Sequence, residues 1–133
     1  MRFLFSILSI AYVAGIFLLA GSPLSQRWSM FNPYSLLHIP LYGILTFLLI
    51  FSFVPLKFNS SNPSNLKTSF LLAALIAAIV AIADEIYQIY VPGREASVTD
   101  VLLDFVGIAF ALFLVKKWWP YFHQLNRLNK PDQ

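Results

Sequence analysis

Residues 81–104 read AIADEIYQIYVPGREASVTDVLLD. One apolar run ends in this stretch and another begins in it, with the tight-turn dipeptide Pro92–Gly93 between them. It therefore reads as the junction of two helices. The same stretch holds Asp84, Glu85, Glu95, Asp100 and Asp104, five of the six acidic residues of the chain; Asp132 is the sixth. Charges placed for solubility would be scattered. Asp84 and Asp104 fall inside the apolar runs, where an ionisable group in lipid costs about 2.5–3.5 kcal/mol and so marks a site.

Working outward, the composition is 59% hydrophobic and 11% charged with thirteen Phe, and the mean hydropathy is +0.72. So little polar surface cannot cover a water-soluble globule, and the 133 residues are read as one integral membrane domain. Without cysteine there is no disulfide framework, thiol nucleophile or thiolate metal site. The net charge of +3 is explained by its distribution along the chain, and nucleic acid is not expected as a partner.

Four apolar segments predict an all-α bundle of transmembrane helices at about 3–20, 33–56, 69–91 and 98–115, with an interfacial tail at 116–133. The first is longer than a signal-peptide core and is preceded only by Arg2, which favours a retained helix over a cleaved leader. Gly21–Asn32, with Pro23, Arg27, Trp28 and Phe31, reads as a boundary loop, and Asn32–Pro33 as the start of the second helix. His38, Tyr42 and Thr46 recur every four residues on one face of that helix, and Pro40 predicts a kink beside His38. Lys57–Thr68 reads as a polar loop. The third helix offers Ala73, Ala74, Ala77, Ala78, Ala81 and Ala83 for close contact. Lys116, Lys117, Trp118 and Trp119 begin the tail.

Seven basic residues (Arg2, Lys57, Lys67, Lys116, Lys117, Arg127, Lys130) fall on the side of the termini, against Arg27 and Arg94 on the other. The positive-inside rule then places both termini in the cytoplasm. His38, Tyr42, Asp84, Glu85, Gln88, Arg94, Asp100 and Asp104 consequently converge in the outer half of the bilayer.

Asp100, three residues after Ser97, fits a capping box, and that role accounts for it without excluding a second one. Asp104 lies a further turn along, roughly 6 Å deeper, and has no such explanation. His38, Asp84, Glu85 and Asp104 are the candidates for acid/base chemistry. Arg94, whose guanidinium suits a phosphate or carboxylate, is expected to bind a ligand together with Gln88, Tyr42 and Asp100. One His with two or three carboxylates at its level could hold a divalent cation or run acid/base chemistry, but no spacing matches a signature such as HisGluXaaXaaHis, so no metal site is assigned and the cofactor is left open. Three readings follow: binding or remodelling of a ligand, hydrolysis or transfer on a lipid-linked substrate using His38 with Asp84 or Glu85, and proton-coupled transport. The last needs a polar path inward, for which only Thr46 offers itself.

AspGluIleTyrGln at Asp84–Gln88, ProGlyArg at Pro92–Arg94, Asp100 followed by Gly107, and His38 with Tyr42 together resemble the VanZ-like membrane proteins over essentially the whole chain. The chain departs from that pattern at Tyr34 and Ser35, where an Asp-Lys pair is common, and at Asp104, where Asn is usual. The resemblance implies a multi-pass protein of the bacterial cytoplasmic membrane. The family takes its name from a protein giving low-level resistance to teicoplanin, a lipid-bearing glycopeptide. An outward-facing cleft for an envelope lipid or lipoglycopeptide is the expected setting.

Overall fold

The computed structural model of the chain describes residues 2–22, 32–54, 63–94 and 96–128. These form α1 (Arg2–Ala20), a 3-10 helix (Asn32–Leu37), α2 (His38–Phe53), α3 (Pro63–Gln88) and α4 (Val98–Leu128). Among the described residues, four helices are long and apolar enough to cross a membrane. The boundary-loop residues Pro23, Arg27, Trp28 and Phe31, together with Lys57, Glu95 and Lys130, lie outside the described residues.

Burial is inverted relative to a water-soluble bundle. On α3 the buried positions are Ser69, Ala73, Ala77, Ala81, Asp84, Glu85 and Gln88, whereas Leu71, Leu75, Ile79, Ile82 and Ile86 are exposed. Where the surroundings are as apolar as leucine, hydrophobicity does not drive helices together; small residues and interhelical hydrogen bonds do. The alanine stripe thus faces the neighbouring helices and the branched side chains face outward.

α2 is the hub, packing on α1, α3 and α4 and burying Tyr42, Leu45, Thr46, Leu49 and Ile50. Its closest crossing is with α4. A Cβ at Gly107 would collide with the carbonyl of Ile39, and one at Gly43 would stand 3.5 Å from the carbonyl oxygen of Gly107. At the opposite end of α2, Arg2 donates through Nε to Ser52 O and through Nη2 to Phe53 O, each at 3.2 Å. These are last-turn carbonyls without an intrahelical donor. Arg2 thereby pins the start of α1 to the end of α2, and Ser9 and Ser52 continue the seam with a 3.2 Å hydroxyl contact.

Several element ends differ from the hydropathy reading, each for a local reason. The second helix stops at Phe53 rather than near 56, because Val54 precedes Pro55 and is extended (φ −68, ψ 125). α3 starts at Pro63, six residues before Ser69, with proline in the first-turn position that suits it. α3 ends at Gln88, and Gly93 (φ 79) takes the left-handed position of the turn before Arg94. α4 runs on through Pro120 to Leu128 instead of ending near 115. The apolar run stops there, but helix formation by Lys116–Trp119 needs no lipid. Nor does Pro40 sit in mid-helix: the change from 3-10 to α at His38 puts it in the first turn of α2, where its missing N–H is least costly.

Candidate functional site

His38 opens α2 and is 4% exposed. Its Nδ1 lies 2.9 Å from Oδ1 of Asp104, which is completely buried one turn inside α4 beyond Asp100. A carboxylate at that distance accepts a proton, so Nδ1 is the donor and the Nε2 edge is left facing the other way. There it meets Asp100 Oδ2 at 3.8 Å, beyond hydrogen-bond length.

Asp100 turns toward His38 because its capping duty has been divided. Ser97 Oγ accepts from the main-chain N–H of Asp100 at 3.4 Å, which caps α4. In a capping box the acid would in turn accept the N–H of Ser97. Here that N–H goes to Glu85 Oε2 on α3, at 2.8 Å. Gln88 Nε2 holds the other oxygen of Glu85 at 3.3 Å, and Arg94 grips Gln88 Oε1 with Nε at 3.2 Å and Nη2 at 2.5 Å. A continuous chain of contacts thus runs from Arg94 through Gln88 and Glu85 to the start of α4.

Asp84 belongs to a second arm. Tyr42 OH donates to its Oδ2 at 3.3 Å, and the Tyr42 ring lies nearly parallel to the imidazole of His38, 8° between planes and 6.4 Å between centroids. Asp84 is therefore paired with Tyr42, while the acids on the two edges of His38 are Asp104 and Asp100. Pairing of His38 with Asp84 as an acid/base couple is replaced by that arrangement. Asp84 Oδ1, Asp100 Oδ1 and Asp104 Oδ2 are buried with no hydrogen-bond partner. Such orphans are costly in a medium of low dielectric constant and usually mark a site shaped for something else.

All eight residues singled out from the sequence come together where the ends of α1, α2, α3 and α4 meet. A small pocket of about 20 Å³ there is lined by Ile16, Ala20, Asp84, Gln88 and Arg94 along with Leu19, His38 and Leu41. The last three also line a larger apolar pocket of about 230 Å³ between α1 and α2, completed by Tyr12, Leu37, Pro40 and Ile44. His38 lines both spaces, with Asp84, Gln88 and Arg94 bordering the smaller one. A third, almost wholly apolar groove of about 620 Å³ lies between α2 and α4, against Phe110, Leu114 and Trp118. The contribution of α1 was not foreseen; the signal was Tyr12, a hydroxyl in mid-helix among apolar residues, which donates to Leu41 O at 3.2 Å. Thr46 Oγ1 is turned back to Tyr42 O at 2.7 Å, in its own helix.

A family model described as VanZ/LLP1 matches residues 4–120. No curated protein and no solved structure shows significant similarity to the chain.

Proposed function

The chain belongs to the VanZ/LLP1 family, and from that premise we propose that it engages the polar head of a lipid-linked envelope component at an outward-facing site in the bacterial cytoplasmic membrane. What carries this reading is that His38 lines both the small space bounded by Asp84, Gln88 and Arg94 and the larger apolar pocket between α1 and α2. A lipid divides the same way, so its head would lie among Arg94, Gln88 and His38 and its chain against Tyr12, Leu37 and Ile44. Arg94 would meet an anionic group on the head, the role for which a guanidinium fork is suited. The excess of basic residues on the side of the termini supports the outward orientation. A lipoglycopeptide such as teicoplanin has the same two-part character, and a contribution to glycopeptide resistance fits this site.

The test is the lipid that accompanies the purified full chain. Mass spectrometry is expected to find one anionic lipid class enriched over the bulk membrane, with the enrichment lost in Arg94→Ala and reduced when Ile44→Trp fills the apolar pocket. Lipids in bulk proportion, unchanged by either variant, would sink the proposal.

A second reading, hydrolysis or transfer on the bound lipid, is favoured by the Nδ1 contact of His38 with Asp104, since an oriented imidazole suits a general base. His38 Nε2 would take the proton of an attacking water or alcohol and return it to the leaving oxygen. It predicts turnover of the enriched lipid that His38→Gln abolishes without releasing the lipid.

A further inference from the structure

We propose that His38 Nε2, Glu85 and Asp100 ligate a divalent transition cation of the Zn²⁺ or Mn²⁺ kind, with Asp104 as the positioning partner of the histidine. One ligand atom from each of the three residues lies within 4.8 Å of the others. They come from three different helices, α2, α3 and the first turn of α4, so no spacing along the chain announces them.

Two observations besides the clustering point to an ion. The first is the histidine. With Nδ1 committed as donor to Asp104, the neutral imidazole offers a lone pair at Nε2, which among the described residues has no hydrogen bond although His38 is 4% exposed. Carboxylate oxygens gathered at that edge of the ring repel one another unless positive charge lies between them, which a bound cation supplies and a second proton on the ring would also supply. The second is the carboxylate. Asp100 Oδ1 is buried without a hydrogen-bond partner, and Asp100 Oδ2 reaches only the 3.8 Å approach to His38.

The geometry is that of an open three-ligand centre. Metal–ligand arms of about 2.0–2.2 Å in a tetrahedron set ligand atoms about 3.4 Å apart. The 3.8 Å between His38 Nε2 and Asp100 Oδ2 is close to that spacing. Glu85 is held on both oxygens by Ser97 and Gln88 and would close the set by a side-chain adjustment. An imidazole beside two carboxylates favours Zn²⁺ or Mn²⁺ over Mg²⁺ and Ca²⁺, which prefer shells made of oxygen. The imidazole–carboxylate contact on the far ring nitrogen is the usual support of a metal-bound histidine.

Three protein ligands leave a position for an oxygen of the lipid head or for water. The inference therefore rests on the headgroup reading above and deepens it. It also takes Nε2 away from the role of proton acceptor.

The test uses the full chain in detergent, stripped with chelator and titrated with Zn²⁺ and separately with Mn²⁺. Bound metal is read by elemental analysis and affinity by calorimetry. About one ion per chain is expected, lost in His38→Ala and at least tenfold weaker in the near-isosteric Glu85→Gln and Asp100→Asn. Asp104→Asn, which touches no ion, is expected to weaken binding by roughly 10–100-fold. The proposal is overturned if the folded wild-type chain takes up neither metal, or if uptake is the same in all four variants. The wild-type titration decides the matter even where a variant fails to fold. Co-purifying lipid is scored on the same samples, so that the two proposals can fail separately. Selective lipid without metal removes the cation alone, and metal with unselective lipid removes the headgroup reading alone.

Discussion

Ser97 gives its main-chain N–H to Glu85 Oε2 at 2.8 Å, so the residue that caps α4 is anchored by an acid of α3. This one contact fixes how the polar end of the bundle is shared out. Glu85 serves the backbone, and Asp100, relieved of that service, faces His38. Had Asp100 closed the capping box itself, His38 would meet one acid fewer.

The division predicts unequal losses at the two ends of the contact. Ser97→Ala removes only the long 3.4 Å hydroxyl contact to Asp100 N, a cap worth about 0.5–2 kcal/mol, and leaves the Glu85 link intact. Glu85→Ala leaves both Ser97 N–H and Gln88 Nε2 without this acceptor, each costing about 1–3 kcal/mol when buried. Thermal unfolding in detergent is expected to show a small downshift for the first and a large one for the second. Equal shifts would mean that the bond between α3 and α4 has no weight.

The α2–α4 crossing gives a second contrast. Gly107→Ala must push apart two backbones at Ile39 and is expected to cost about 1–3 kcal/mol, as overpacking does. At Gly15 nothing lies within 4 Å of an added methyl, and Gly15→Ala is expected to gain about 0.5–1 kcal/mol from helix propensity alone. Opposite signs in the melting temperatures check this. A neutral Gly107→Ala would show the crossing to be looser than its geometry.

How far the sequence could be read follows from which forces are local. The four apolar segments were legible because each one is long enough for lipid by itself. Helix ends were less so, since hydropathy marks where lipid stops and not where hydrogen bonding stops; Pro63–Thr68 and Lys116–Leu128 are helical and largely polar. The depth shared by His38, Asp84 and Asp104 could be counted off in residues. Which acid faces which edge of the imidazole could not. Asp84 stacks with Gln88 on α3, yet rotation of the helices gives it to Tyr42 and gives His38 to Asp104. Asp100 looked like an ordinary capping acid because its departure depends on Glu85, a residue of another helix.

Arg94 tests whether charge or shape matters at the mouth of the site. Arg94→Lys keeps the charge but cannot place two nitrogens on Gln88 Oε1, where Nε and Nη2 now converge. Retention of the enriched lipid is expected to fall nearly as far in Arg94→Lys as in Arg94→Ala. Full retention in the lysine variant would mean that a point charge suffices and that Gln88 plays no part in holding it.

Tyr42 and Asp84 allow the worth of one buried polar pair to be measured directly. Tyr42→Phe takes away the donor to Asp84 Oδ2, while Oδ1 already has no partner. A loss of about 1–3 kcal/mol is expected. Asp84→Leu leaves the tyrosine hydroxyl with only the 3.5 Å approach to Val80 O. Replacing both removes the unmet polar atoms together, so the double variant should be less destabilised than the sum of the two, by about 0.5–3 kcal/mol in a double-mutant cycle. Denaturant unfolding in micelles gives the three differences needed. Simple additivity would show that Asp84 is satisfied by something other than Tyr42, and the second arm of the site would have to be redrawn.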